Sequence, residues 1–250
     1  MKTTLLAALM TLTAFGQAPK PPTRDEVIFG GQGAVAQIAD GDGWKTTITM
    51  VNLDPTIAPY TLTFYADNGS LLSLTTSLGT SATFSGSIPP NGSVTIATAG
   101  FQTALSQGWA AMSTSARIGG TVYFQRVALG QPNYEASEPI DTELQNHFRL
   151  PFDHTNGNAT GFAVLNPFSY TSITVFVIFR DPNGNQFLVD SFSLSPLQHA
   201  AFTLTQRYPQ TVGLRGTVDV STAALWLNVI GLHFGPSGVF STIIPLSSFP

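Results

Sequence analysis

The sequence has no cysteine and few charged residues. Its 250 residues include 10 Lys plus Arg and 14 Asp plus Glu, a charged share of 10% and a net charge of -4 at pH 7. A typical soluble domain carries about 25% charged residues. A nucleic-acid-binding surface needs a dense basic stripe, so nucleic acid is excluded as a partner. The hydrophobic share of 43% excludes charge-driven disorder and is sufficient for a folded core.

The first residues have the three parts of a secretory signal peptide. Lys2 precedes an uncharged apolar run over 5–15, and small residues follow. Cleavage after Gly16 or after Ala18 fits the small-residue rule, and we favour Gly16 because Pro19 directly follows the other site. We therefore expect a secreted bacterial protein, extracellular or periplasmic. Its mature chain would have no disulfide framework, no lipid-anchor cysteine and no membrane span.

Helical periodicity is nearly absent, and short runs of β-branched and aromatic residues take its place. Examples are the runs at 46–51, 60–65 and 174–179, each bounded by Gly, Pro, Asn or Asp. Alternating or short continuous apolar runs between turn-forming residues are typical of strands joined by tight turns. The sequence therefore predicts an all-β chain.

An internal repeat organises these strands. Five segments align in order: 39–52 with 153–166, 64–69 with 178–184, 88–94 with 194–200, 108–113 with 216–221, and 139–140 with 245–246. The first copy has an insertion near residues 71–83. The repeat predicts a signal peptide over 1–16, a Pro-rich leader over 17–26, one copy over 27–140, a linker over 141–146 and a second copy over 147–250.

Each copy has the strand spacing of an antiparallel immunoglobulin-like β-sandwich, so the fold prediction is two tandem sandwiches from an internal duplication. The cysteines and partner tryptophan of antibody domains are missing, which restricts the prediction to architecture. The first copy has a Gly-Gly-Trp-like turn before a strand ending in Val-Asn, then Asn-Gly, Pro-Pro-Asn-Gly and Gly-Trp-Ala; the second has Leu-Pro-Phe-Asp-His-Thr-Asn-Gly. This pattern resembles a duplicated immunoglobulin-like segment of uncharacterised secreted bacterial proteins over nearly the whole mature chain. The resemblance implies a fold and an exported location, but no activity.

The ionisable residues do not form a catalytic or metal-binding motif. All four histidines lie in the second copy, without the spacing that directs two imidazoles at one ion. Asp40 and Asp42 are weak metal candidates, because they match part of a calcium loop but lack its third acid and terminal Glu. Neither a Gly-x-Ser-x-Gly elbow nor facing carboxylates are found. We expect no enzyme and no cofactor.

The aromatic residues beside turns are the remaining candidates for recognition. Trp44, Trp109, Tyr134 and Tyr170 could present flat rings to a sugar, although core packing is the simpler interpretation of Trp109. The sequence predicts a non-enzymatic exported protein for adhesion, cell-surface structure or neutral ligand binding, with polysaccharide or another surface protein as partner. Because few charged residues are available to block open strand edges, the sequence also predicts self-association. A periplasmic two-domain assembly chaperone and a secreted hydrolase or its accessory are the alternatives.

Overall fold

The computed structural model of the chain describes residues 33–127, 134–140, 145–223 and 226–247. The predicted signal peptide over 1–16, the leader over 17–26 and most of the linker, residues 141–144, lie outside these ranges. The described part consists almost entirely of antiparallel strands, which confirms the all-β prediction. We call residues 33–140 segment 1 and residues 145–247 segment 2.

Segment 1 contains ten strands. They are Gly33–Asp40 (β1), Trp44–Asn52 (β2), Ala58–Ala66 (β3), Leu74–Thr76 (β4), Gly79–Ser81 (β5), Thr83–Ile88 (β6), Ser93–Ala97 (β7), Ser106–Thr114 (β8), Ile118–Arg126 (β9) and Tyr134–Pro139 (β10). The β4–β5 hairpin lies within the insertion near residues 71–83. The other eight strands form the two larger sheets of the segment.

Segment 2 contains nine strands and two short helical turns. The strands are His147–Asp153 (β11), Ala159–Leu165 (β12), Ile173–Arg180 (β13), Gln186–Leu194 (β14), His199–Thr203 (β15), Arg215–Ser221 (β16), Asn228–Phe234 (β17), Phe240–Ile243 (β18) and Leu246–Ser247 (β19). An α-helical turn over Leu204–Arg207 (α1) and a 3-10 turn over Pro209–Thr211 follow β15.

The strand order is the same in both segments once β4, β5 and β19 are set aside. Sheet I has the order β1-β8-β3-β6, and its counterpart, sheet III, has β11-β16-β13-β14. Sheet II has the order β10-β9-β2-β7, and its counterpart, sheet IV, has β18-β17-β12-β15. Each strand of one segment therefore has a counterpart in the other, in the same chain order.

This order differs in three places from that of a constant-type immunoglobulin domain. The β2–β7 and β3–β8 pairs correspond to immunoglobulin neighbours. In an immunoglobulin, however, the first strand pairs with the second, the fourth with the fifth and the seventh with the sixth. Here β1 pairs with β8, β6 pairs with β3, and β9 pairs with β2. The first, fourth and seventh strands thus lie in the opposite sheet.

One asparagine anchors the same loop in both segments. Asn52 ends β2, and its Nδ2 lies 2.6, 3.2 and 2.9 Å from the carbonyl oxygens of Thr56, Ile88 and Pro89. Its Oδ1 accepts a hydrogen bond from the backbone N–H two residues later. Asn166, which follows β12, repeats the arrangement with the carbonyls at 171, 194 and 195 and the N–H at 168. Both side chains are buried, and in each segment one of the three carbonyls, that of Ile88 or of Leu194, belongs to a buried residue and needs a partner within the protein.

The two segments share one hydrophobic core. The facing sides of sheets I and II, and those of sheets III and IV, supply most of the buried apolar residues, which form one continuous cluster across both segments. Between the segments, β1 packs against β12 and β17, β8 against β15, and β10 against β18. The outer face of sheet I thus lies against the outer face of sheet IV.

Candidate functional site

A cavity of about 220 Å³ lies between the two segments. Segment 1 contributes residues from β1, β2, β8 and β9, and segment 2 contributes residues from sheet IV and α1. The lining residues are Gln37, Ala39, Trp44, Leu105, Gln107, Phe124, Gly161, Phe162, Ala163, Ala201, Phe202, Thr203, Gln206, Ile230, Leu232 and Phe234. Side chains of the lining are apolar or neutral, and Leu105 and Gln206 are exposed at its edge.

Small residues on β12 and β15 create this space. Gly161 pairs with Thr203, and Ala163 pairs with Ala201, so four small residues lie side by side on one face of sheet IV. A Cβ at Gly161 would lie 2.6 Å from the ring of Phe234, so glycine allows that ring to lie over β12. Glycine at position 161 therefore leaves space in the cavity and allows the Phe234 ring to form part of its lining.

Trp44 is the predicted binding residue that lines the cavity. It is the first residue of β2 and is only partly buried. Its ring centroid lies 5.0 Å from that of Phe240 in segment 2, and the guanidinium of Arg126 lies 5.5 Å from the ring centroid. A cation over an indole face and an aromatic neighbour both restrain the ring. The indole is therefore held at the boundary between the segments.

Hydrogen bonds beside the cavity join the segments. His199 Nδ1 lies 2.8 Å from Asp67 Oδ1, and Gln107 Nε2 donates to the other carboxylate oxygen at 2.6 Å. The backbone N–H of His199 also donates to the Asp67 carbonyl. Because an ionised carboxylate only accepts, Nδ1 carries the proton in this pair. The turn after β3 is thereby attached to the start of β15.

Trp109 also connects the two segments, but its side chain is buried. It is 0% exposed, stacks on Tyr65 with a centroid distance of 4.8 Å, and donates from Nε1 to the Leu197 carbonyl at 2.8 Å. Leu197 has a φ of 60°, a left-handed conformation that is costly for leucine. Its counterpart in segment 1 is Asn91, with a φ of 54°, a residue type that accepts this conformation more readily. Trp109 therefore joins the segments and presents no surface to solvent.

The other predicted site residues lie apart from the cavity. Tyr134 begins β10 and packs, half-buried, against the core. Tyr170 is 60% exposed, in edge contact with Phe168. Asp40 is 1% exposed and accepts a hydrogen bond from the Gly100 N–H. Asp42 lies in the exposed turn between β1 and β2.

The described ranges add no support for Asp40 and Asp42 as metal ligands. Among those residues, no group of three or more His, Cys, Asp or Glu side chains could hold a metal ion. Asp40 has a backbone partner instead, which accounts for a carboxylate at that buried position.

Most of the cavity residues were missed by sequence reasoning. Leu232 and Phe234 lie in β17, a strand that the sequence analysis did not single out. Ala163 lies in a segment that it did predict as a strand, but the association of this face of sheet IV with segment 1 is not a local property. One signal was available in the sequence: residues 161–165 form an unbroken run of glycine and apolar residues, as expected for a strand covered on both faces. Residues 160–165 of β12 are indeed buried without alternation.

Comparison with known protein families, curated proteins and solved structures finds no match. Within the part of the chain that the structure describes, no helix is long and apolar enough to cross a membrane.

Proposed function

We propose that this protein is an exported, non-enzymatic binding protein that holds a small neutral ligand in the cavity between its segments. The observation that carries the proposal is the lining, which is apolar apart from Gln and Thr side chains. Ligand sites are usually concave and apolar, with a few polar groups that set orientation. Burying a charged ligand in such a lining would cost free energy without compensation. The cavity therefore favours neutral ligands.

The size and composition of the cavity narrow the ligand class. A volume of about 220 Å³ is below the usual range of about 300–1,000 Å³ for drug-sized ligands. It suits a single ring or a short alkyl chain. The Nε2 groups of Gln37 and Gln107 already donate within the protein, so these residues offer their side-chain oxygens. Together with the exposed amide of Gln206 and the indole of Trp44, these oxygens suit a neutral hydroxylated group, such as one sugar ring. We infer a ligand with an apolar body and a neutral sugar-like head, in keeping with a role in adhesion or at the cell surface.

The architecture we propose is a pair of immunoglobulin-like sandwiches from an internal duplication, with their first, fourth and seventh strands in the opposite sheets. The common strand order, the Asn52 and Asn166 anchors and the left-handed residues Asn91 and Leu197 support this origin. The apolar run over 5–15, interpreted as the core of a signal peptide, supports export.

The test is a titration with n-hexyl-β-D-glucoside, with glucose and hexanol as separate arms. Tryptophan fluorescence and calorimetry should show saturable binding of the glycoside and weaker binding of each fragment. Ala201→Leu fills the cavity and should weaken binding at least tenfold. Tyr170→Leu removes an exposed aromatic elsewhere and should leave binding unchanged. Absence of saturable binding in all three arms, or equal binding by Ala201→Leu, would refute the proposal.

A further inference from the structure

Strand β14 is a long, open sheet edge. It runs over Gln186–Leu194 and pairs with β13 on one side. Nothing in the described residues pairs with its other side. Several other edges are covered: β10 packs against β18, and β11 pairs with β19. The β7 edge is met by the β4–β5 hairpin through a bridge between Thr76 and Thr98. An open edge presents unpaired N–H and C=O groups, whose natural partner is another strand.

The side chains of β14 do not protect this edge. Val189 is 57% exposed and Phe187 is 40% exposed. The counterpart edge in segment 1 is β6, which is shorter and has Thr83 at the position of Val189, as the shared register with β3 and β13 shows. The exposed residues of β6 are Thr, Ser and Gly. The two edges thus differ in length and in exposed apolar surface.

The outward row of β14 also carries no charge. Asp190 is the only ionisable residue of the strand, and it points to the face opposite Val189. There the Tyr208 hydroxyl donates to its carboxylate at 3.1 Å, and the Arg207 guanidinium lies 3.9 Å away. Natural proteins often block an open edge with an outward Lys or with Pro, and β14 has neither.

We propose that β14 pairs antiparallel with β14 of a second copy of this chain, about a twofold axis at Val189. An edge is self-complementary when it pairs antiparallel with itself, so one surface serves both partners. An axis at Val189 places the two exposed valines opposite each other and Asp190 opposite Leu188. An axis at Asp190 would oppose two carboxylates, which is destabilising. The two five-stranded sheets then form one continuous sheet.

The absence of cysteine makes this register directly testable in the full chain. Directly opposed residues have Cβ atoms about 4.5–5.5 Å apart, close to the reach of a disulfide. Under mild oxidation, Val189→Cys should give a disulfide-linked dimer at least ten times faster than Ile57→Cys, a residue 65% exposed in a loop. Rapid linking by Ser191→Cys without linking by Val189→Cys would overturn the register.

Sedimentation of the unmodified chain tests the association itself. We expect a concentration-dependent dimer, which Val189→Lys weakens at least tenfold because two like charges would then be opposed. Thr83→Lys makes the matched change on β6 and should leave the dimer constant unchanged. A monomer at all concentrations, or equal effects of the two lysines, would refute the dimer. None of these outcomes depends on the proposed ligand.

Discussion

Sheets II and IV occupy the same place in their segments, but their outer faces differ. In sheet IV this face carries Ala163 and Ile230, which are buried. At the corresponding positions sheet II carries Thr49 and Thr121, which are partly exposed. Sheet IV is covered by segment 1, whereas sheet II is not. Two segments with the same strand order therefore carry different outward residues, depending on whether another sheet covers the face.

Sheets I and III differ in the same way. Trp109 is buried in sheet I where sheet III has the partly exposed Thr217, and Ala111 corresponds to Asp219. The contact between segments joins two unlike faces, the outer face of sheet I and that of sheet IV. A contact of this kind can repeat from chain to chain into a filament if the faces left free resemble the joined ones. Here the free faces of sheets II and III carry polar groups at matched positions, so this contact cannot be repeated.

The largest expected effect concerns the buried asparagine that anchors the same loop in both segments. Replacing Asn52 or Asn166 with Ala removes a donor that faces three carbonyls, one of them buried. The buried carbonyl is left without a partner and the other hydrogen bonds are lost, so we expect the free energy of unfolding to fall by about 3–4 kcal/mol for either variant. Urea denaturation followed by circular dichroism measures both. A loss below about 1 kcal/mol in one variant alone would break the equivalence of the two anchors.

Sequence patterns predicted the strands whose outer face meets solvent. In β2 and β13 buried and less buried residues alternate, and the period of two can be read locally. The Asn-Gly turns were equally local signals. The cavity was not predictable, because Trp44 and Phe240 meet through the packing of distant strands. Leu197 is a further example: its left-handed conformation is accompanied by a hydrogen bond from Trp109, a residue of the other segment.

A reciprocal exchange of outer-face residues tests the role of coverage. Ile230→Thr gives sheet IV the residue of sheet II and places a hydroxyl against an apolar lining. We expect a loss of about 2–3 kcal/mol from lost packing and an unpaired polar group. Thr121→Ile makes the opposite change on the open face and should shift stability by less than about 0.5 kcal/mol. Thermal and urea unfolding of both variants give the comparison, and equal losses would show that coverage does not distinguish the faces.

The smallest effect concerns one aspartate in each segment that is hydrogen-bonded to arginine. Asp219 accepts hydrogen bonds from Arg149 and Arg180. Burial raises the pKa of its carboxyl, but the two arginines outweigh burial, and the pKa lies below its ordinary value. The pair thus stabilises the fold above the unfolded pKa of about 3.9, and this contribution is lost as the pH falls through the folded pKa. At pH 7 we expect Asp219→Asn to lower the free energy of unfolding by about 1 kcal/mol.

A protonated Asp219 loses its advantage over asparagine. The free energies of unfolding of the unmodified chain and of Asp219→Asn should therefore become equal in acid. Urea denaturation from pH 7 to pH 2 measures the difference. The matched control is Asp54→Asn in segment 1. Hydrogen bonds from the Arg117 backbone and guanidinium lower the pKa of Asp54, but the Arg117 side chain is 72% exposed. Solvent screens such a pair, so its difference should be smaller. A difference for Asp219 that persists unchanged at pH 2 would mean that packing, and not the charge pair, accounts for aspartate at this position.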